Sequence, residues 1–167
     1  MAEGSRTSTS QPRKTGPPFD PATSAGVHLF TLGYQGRDLR EVLDIVRRHA
    51  IDQVLDVREN ATSKKPGFSA TELSDALAGI GVSYLHLAEL GCAPASRHAL
   101  WRGEDRATFF EEYRRRLSEQ PPAFAELLRR ARSARCLVLC LERDPFRCHR
   151  AVLAERLHEV GVLVVHL

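Results

Sequence analysis

The chain has 167 residues, 43% of them hydrophobic and 27% charged, enough for one ordinary domain with a real core and too few for a second. Its formal charge is only +3, all but three of its 24 basic residues are arginine, and no apolar run is long enough to cross a bilayer. The N-terminus lacks the apolar core of a signal peptide, so a cytoplasmic domain is expected, with Cys92, Cys136, Cys140 and Cys148 reduced.

Met1 to Gly26 carries Ser, Thr, Pro, Gly and Lys without an apolar period and reads as a disordered leader, leaving 27–167 as a single domain. Val27–Leu32 is a strand that ends at Gly33-Tyr34-Gln35-Gly36. Asp38 can cap a helix with an amphipathic face of Leu39, Val42, Leu43 and Val46. Ile51–Arg58 is a second strand, and the polar stretch Glu59–Ser69 with its Pro-Gly turn is a loop. Ser69 or Thr71 caps the helix through Leu73, Leu77 and Ile80, which Gly81 closes.

Val82–Leu87 is a third strand. The loop after it, past Cys92, Pro94, Arg97, His98 and Trp101 to Gly103, is longer than ordinary connections and reads as a lid or wall. Asp105 starts one helix and Pro121-Pro122 another that reaches Arg132. Cys136–Leu141 is a short, wholly apolar run, the signature of a strand buried on both faces. Asp144 and Pro145 then suit the start of a helix, and Gly161–Leu167 is a last strand. Strands alternating with helices predict an α/β domain of three layers, Rossmann-like or flavodoxin-like, with a mostly parallel sheet of about five strands.

In such sheets ligands bind outside the carboxyl ends of the strands. Those ends carry Gly33 and Tyr34, then Asp56 and Arg58, then His86, then Cys140 and Glu142 with Cys148, His149 and Arg150. Glycine, carboxylate, guanidinium, imidazole and thiol thus converge on one edge. Each has a plainer reading as well. Gly33 allows a turn with φ > 0, Asp56 caps a helix or pairs with Arg58, His86 is a structural histidine, and Cys136 and Cys140 are packing residues. T-L-G-Y-Q-G at Thr31–Gly36 is not the G-x-G-x-x-G fingerprint of dinucleotide sites, so the cofactor stays open.

Cys148, beside His149, Arg147 and Arg150 at a helix start, sits where a thiolate is favoured. Cysteine is equally a common small buried residue. Cys140, Cys148 and His149, with Cys92 or His86, are ligand types that zinc accepts, but their spacing matches no familiar metal motif and no metal is expected. Arg58, Lys64, Lys65, Arg147 and Arg150 would form a phosphate-binding rim. Arg114–Arg116 with Arg129, Arg130 and Arg132 would extend a nucleic-acid track if they faced the same way.

Four ordered motifs carry a resemblance: T-L-G-Y-Q-G at Thr31–Gly36, L-D-V-R-E-N at Leu55–Asn60 followed by S-K-K-P-G-F-S at Ser63–Ser69, Y-L-H-L-A-E-L-G at Tyr84–Gly91, and C-L-E-R-D-P-F-R-C-H-R at Cys140–Arg150. From Leu29 onward the chain resembles the bacterial and archaeal family catalogued as domain of unknown function 488. The resemblance implies an aspartate and arginine after the second strand, here Asp56 and Arg58, and a cysteine-histidine-arginine near the fourth, here Cys148, His149 and Arg150. Ala61 and Lys64 stand where the family often shows proline and arginine.

Two chemistries and one binding role follow from these parts. The first is an enzyme acting on a nucleotide or nucleic acid, such as a hydrolase cleaving an N-glycosidic bond or serving DNA repair. There Asp56 or Glu142 would be the acid or base, with Cys148 and His149 also in the catalytic set, and Gly33, Tyr34, Arg58, Lys64, Lys65, His86 and Arg150 would hold substrate and phosphate. The second is a thiol enzyme passing sulfur or an acyl group through Cys148. The third is a non-catalytic module that binds an anion or nucleotide.

Overall fold

Side chains along β4 (Cys136–Cys140) are buried on both faces: Cys136, Val138 and Cys140 enter one core and Leu137 and Leu139 the other. The same alternation splits β1 (Val27–Gly33), where Leu29 faces the first core and Phe30 and Leu32 the second. A strand with two apolar faces needs cover on both, and the helices supply it. The protein, seen in a computed structural model, is described over residues 27–93, 95–96, 102–103 and 105–167. The leader expected over Met1–Gly26, and Pro94, Arg97, His98 and Trp101 of the long loop, lie outside the described residues.

The remaining strands are β2 (Gln53–Asp56), β3 (Ser83–His86) and β5 (Val162–His166), and the helices are α1 (Leu39–Arg48), α2 (Ala70–Ala78), α3 (Arg106–Ser118), α4 (Pro121–Ser133) and α5 (Arg150–Glu159). The five strands form one wholly parallel sheet in the order β3-β2-β4-β1-β5. From β1 to β2 to β3 the chain steps toward one edge, and α1 and α2 cover one face. From β3 to β4 to β5 it steps back, and α3, α4 and α5 cover the other. Crossovers of one hand require that change of face.

Strand β4 therefore lies between β1 and β2 while its outgoing chain turns to the opposite face from theirs. That is a topological switch point, the place where parallel sheets open a crevice at their carboxyl ends. Cys140 ends β4, and Cys148 to Arg150 return to the same place.

The caps follow the expected chemistry. Asp38 accepts from the Glu41 amide while Glu41 accepts from the Asp38 amide, and Ser69, rather than Thr71, forms the same box with Glu72. The Asp144 side chain accepts from the Phe146 amide, but it caps only a 3-10 turn over Pro145–Arg147. The helix expected from Asp144 is broken at Cys148, whose backbone is extended at φ −126° and ψ 150°, and α5 starts at Arg150. At this break the Cys148 side chain is buried.

Candidate functional site

The residues gathered at the carboxyl edge form two clusters on opposite faces of the sheet, joined through Val57. Leu55 and Val57 point into the core under α3, α4 and α5, so Asp56 between them points to the α1 and α2 side. There its buried carboxylate accepts from the Arg58 Nε at 2.9 and 3.0 Å, from the Arg58 guanidinium again at 2.5 Å, from the Arg58 amide at 3.0 Å and from the Tyr84 hydroxyl at 2.7 Å. The remaining Arg58 nitrogen donates to the Tyr34 hydroxyl at 3.0 Å and the Phe68 carbonyl at 2.8 Å. Tyr34 and Phe68 stack at 4.2 Å, closing the pair off from solvent.

Burial alone would lower the Arg58 pKa, but the hydrogen bonds and charge of Asp56 outweigh it and raise it. Burial and the same carboxylate raise that of Tyr84. Asp56 and Arg58 thus saturate one another, as the plainer reading of the sequence held. His86 is similarly engaged, its Nε2 lying 2.7 Å from the Arg58 carbonyl and donating to it. Lys64 is exposed, and the half-buried Lys65 reaches the Tyr34 carbonyl at 3.5 Å.

The second cluster lies on the other face. His149 Nε2 is 3.2 Å from the Val57 carbonyl, and since a carbonyl only accepts, that nitrogen carries a proton. The other ring nitrogen, Nδ1, is therefore the one that faces the Cys148 sulfur, at 3.6 Å. Arg150 Nε donates to the same sulfur at 3.3 Å. Its other nitrogens reach the Glu142 carbonyl, the Arg143 carbonyl at 3.5 Å and the Thr31 hydroxyl at 3.4 Å. The sulfurs of Cys140 and Cys148 and a ring nitrogen of His149 all lie within 4.8 Å of one another, and Cys92 is buried in the same core.

Burial opposes a charge on Cys148, but hydrogen bonds with Cys140 and His149 and the positive charges of His149 and Arg150 overcome it and bring the thiol well below its ordinary 9.0. Burial likewise works against the imidazolium of His149, and the Cys148 charge and hydrogen bond, with Cys92 beside them, push it up to about 10. Cys140 moves the other way: its hydrogen bond to Cys148, then burial, raise it well above 9.0. Cys136, at the far end of β4, is pushed by burial up to about 12. Cys148 is acidified while Cys140 beside it is kept as a thiol.

Glycine 33 is the hinge of this arrangement. A Cβ there would meet the Glu142 carbonyl oxygen at 1.9 Å, so the expected turn with positive φ is instead a close approach of two backbones. That approach places the Glu142 carbonyl on Arg150. The Glu142 carboxylate itself accepts from the Asp144 amide at 3.2 Å. Cys92, which the sequence offered only as a possible metal ligand, follows the 3-10 turn at Ala88–Leu90, and Tyr113, absent from the expected site, is brought to it by α3. The Tyr113 ring lies 5.0 Å from that of His149, and its hydroxyl donates to the Leu90 carbonyl at 2.7 Å. No motif in the sequence ties Tyr113 to the cysteine, since the contact spans the sheet edge.

Of the basic runs, Arg114 pairs with Glu155, Arg115 with Glu119, Arg116 with Glu59, and Arg129 and Arg130 with Glu126. The exposed ones, Arg114 with Glu155 and Arg115 with Glu119, contribute little to stability. Cys140, Cys148 and His149 have the donor types to hold a soft divalent ion. Arg150 already places a permanent positive charge on one of those sulfurs.

These features define a doubly wound α/β protein with a buried cysteine-histidine-arginine centre at its switch point. The model of the domain of unknown function DUF488 matches residues 38–157, and the chain belongs to that family. No curated protein and no solved structure matches the chain. No helix among the described residues is long and apolar enough to cross a membrane.

Proposed function

We propose that the protein is a thiol enzyme in which Cys148, as a thiolate, attacks an electrophilic substrate and carries sulfur or an acyl group as a covalent intermediate. One observation carries this reading. Arg150 is a permanently charged side chain only 1% exposed, and its hydrogen bonds among the described residues run to the Glu142 and Arg143 carbonyls, the Thr31 hydroxyl and the Cys148 sulfur, none of them a carboxylate. A buried guanidinium needs a counter-ion, and the ionisable atom it touches is the Cys148 sulfur. His149 completes the set as a proton donor to the leaving group, its orientation fixed by the Val57 carbonyl. A cytoplasmic location, where thiols stay reduced, fits this chemistry.

The direct test offers the chain a small thioester and a small thiosulfonate and reads intact mass with peptide mapping. A covalent adduct on Cys148, and no such adduct in a folded Cys148→Ser variant, is expected. Adducts spread evenly over the four cysteines would contradict the reading.

A nucleotide or nucleic-acid substrate, with N-glycosidic hydrolysis or a repair role, is the second reading. It is favoured by a basic rim at the same edge, where Lys64 and Arg143 are exposed and the Arg143 guanidinium overlies the Gly36 turn. Its acid and base are the weaker part, because Asp56 is held by Arg58 and Tyr84 and Glu142 caps a turn. Retention of a nucleotide in native mass spectrometry would favour it.

A further inference from the structure

Cys140 has a free thiol at the end of β4 and is almost fully buried, with its sulfur turned toward Cys148. Packing alone asks for no thiol here, and an alanine or valine would serve the core equally well. A second thiol within 4.8 Å of the reactive one is instead what a resolving cysteine needs, because sulfur atoms at that range close to a bond of roughly 2.05 Å with a modest adjustment. The connecting stretch is suited to adjust: Arg143, Asp144, Phe146 and Arg147 are all exposed.

Building on the thiolate reading of Cys148, we propose that Cys140 and Cys148 are a two-cysteine redox pair, in which a small hydroperoxide oxidises Cys148 and Cys140 closes an intramolecular disulfide. The electrophile must be small, because Cys148 is only 3% exposed. A cavity of about 280 Å³ lined by Cys92, Phe109, Glu112, Tyr113 and Arg116 lies one layer of side chains away, since the Tyr113 ring in its wall packs 5.0 Å from that of His149.

In the first step the Cys148 sulfur attacks one peroxide oxygen. An S–O bond forms, the O–O bond breaks, and the departing alkoxide or hydroxide takes the proton of His149. Cys148 becomes a sulfenic acid. In the second step the Cys140 sulfur attacks that of Cys148, an S–S bond forms, and the S–O bond breaks. The departing hydroxide takes the Cys140 proton and leaves as water, so one hydroperoxide and two thiols give an alcohol or water, a second water and one disulfide. A metal is disfavoured at the same sulfurs because Arg150 lies 3.3 Å from one of them.

The test treats the full chain with a stoichiometric amount of hydrogen peroxide, quenches free thiols with iodoacetamide, and reads intact mass and disulfide-linked peptides. Loss of two hydrogens with Cys140 linked to Cys148 is expected. In a Cys140→Ser variant that loss disappears, and a sulfenic acid that reacts with dimedone persists on Cys148. If Cys148 alkylates fast but the wild-type chain accumulates the dimedone adduct as the variant does, or links Cys148 to Cys92, the redox pair is overturned while the thiolate stands. If Cys148 alkylates no faster than Cys136, both fail. An equivalent of zinc in the purified chain that shields both thiols until chelated would also overturn the pair and assign the cluster to metal.

Discussion

Replacing Arg58 by methionine costs the fold roughly 3–5 kcal/mol, the usual penalty for stranding one partner of a buried ion pair. Asp56 is 0% exposed and would keep only the Tyr84 hydroxyl and one backbone amide as donors. Tyr34 and the Phe68 carbonyl would lose their partner as well. Urea unfolding followed by circular dichroism reads the loss. The double substitution Asp56→Leu with Arg58→Met removes both charges and recovers most of it, since an apolar pair of similar volume often replaces a buried ion pair at little cost. A single-variant cost below about 1 kcal/mol, the range of exposed pairs, would show that Asp56 and Arg58 do not hold the end of β2.

The second large effect is expected at Gly33. An added methyl would lie 1.9 Å from the Glu142 oxygen, 2.6 Å from its carbonyl carbon and 2.7 Å from the Arg143 Cα. All three are backbone atoms with no rotamer to change, so Gly33→Ala must push the chain after β4 away from β1. Overpacking of this kind costs on the order of 1–3 kcal/mol. Its more telling consequence is chemical, because the displaced carbonyl is one of the groups that anchors Arg150. Thermal unfolding should shift down, and the alkylation rate of Cys148 should fall in the part of the protein that remains folded. An unchanged rate beside a lowered melting temperature would mean that Arg150 does not set the reactivity of Cys148.

The contrast between these two sites explains what could be read in advance. The strands and helix starts follow from local patterns: the apolar run Cys136–Leu141, the caps Asp38 and Ser69, and Pro121 at a helix start. The gathering of functional groups at one edge follows from parallel topology. Which face each group takes depends on strand phase near the last hydrogen-bonded residue, where one position decides. Asp56 and Val57 are neighbours in the chain, yet one meets Arg58 and the other meets His149 across the sheet. The interruption at Cys148 was likewise hidden, because Asp144 and Pro145 are good starting residues for a 3-10 turn as much as for an α-helix. Tyr113 reaches the centre through tertiary packing that no spacing in the chain encodes.

Cys148 and Cys136 make an internal comparison within one molecule. Both are buried, but Arg150 donates to the Cys148 sulfur, whereas burial, with the Asp52 charge added to it, pushes Cys136 up to about 12. The most direct measurement is the rate of iodoacetamide labelling at each cysteine against pH, read by mass spectrometry. Cys148, held well below its ordinary 9.0, should label at a nearly constant rate across neutral pH and slow only in acid. A Cys148 rate that instead climbs about tenfold per pH unit from pH 7 upward, as an unperturbed thiol does, would contradict the thiolate and the account built on it.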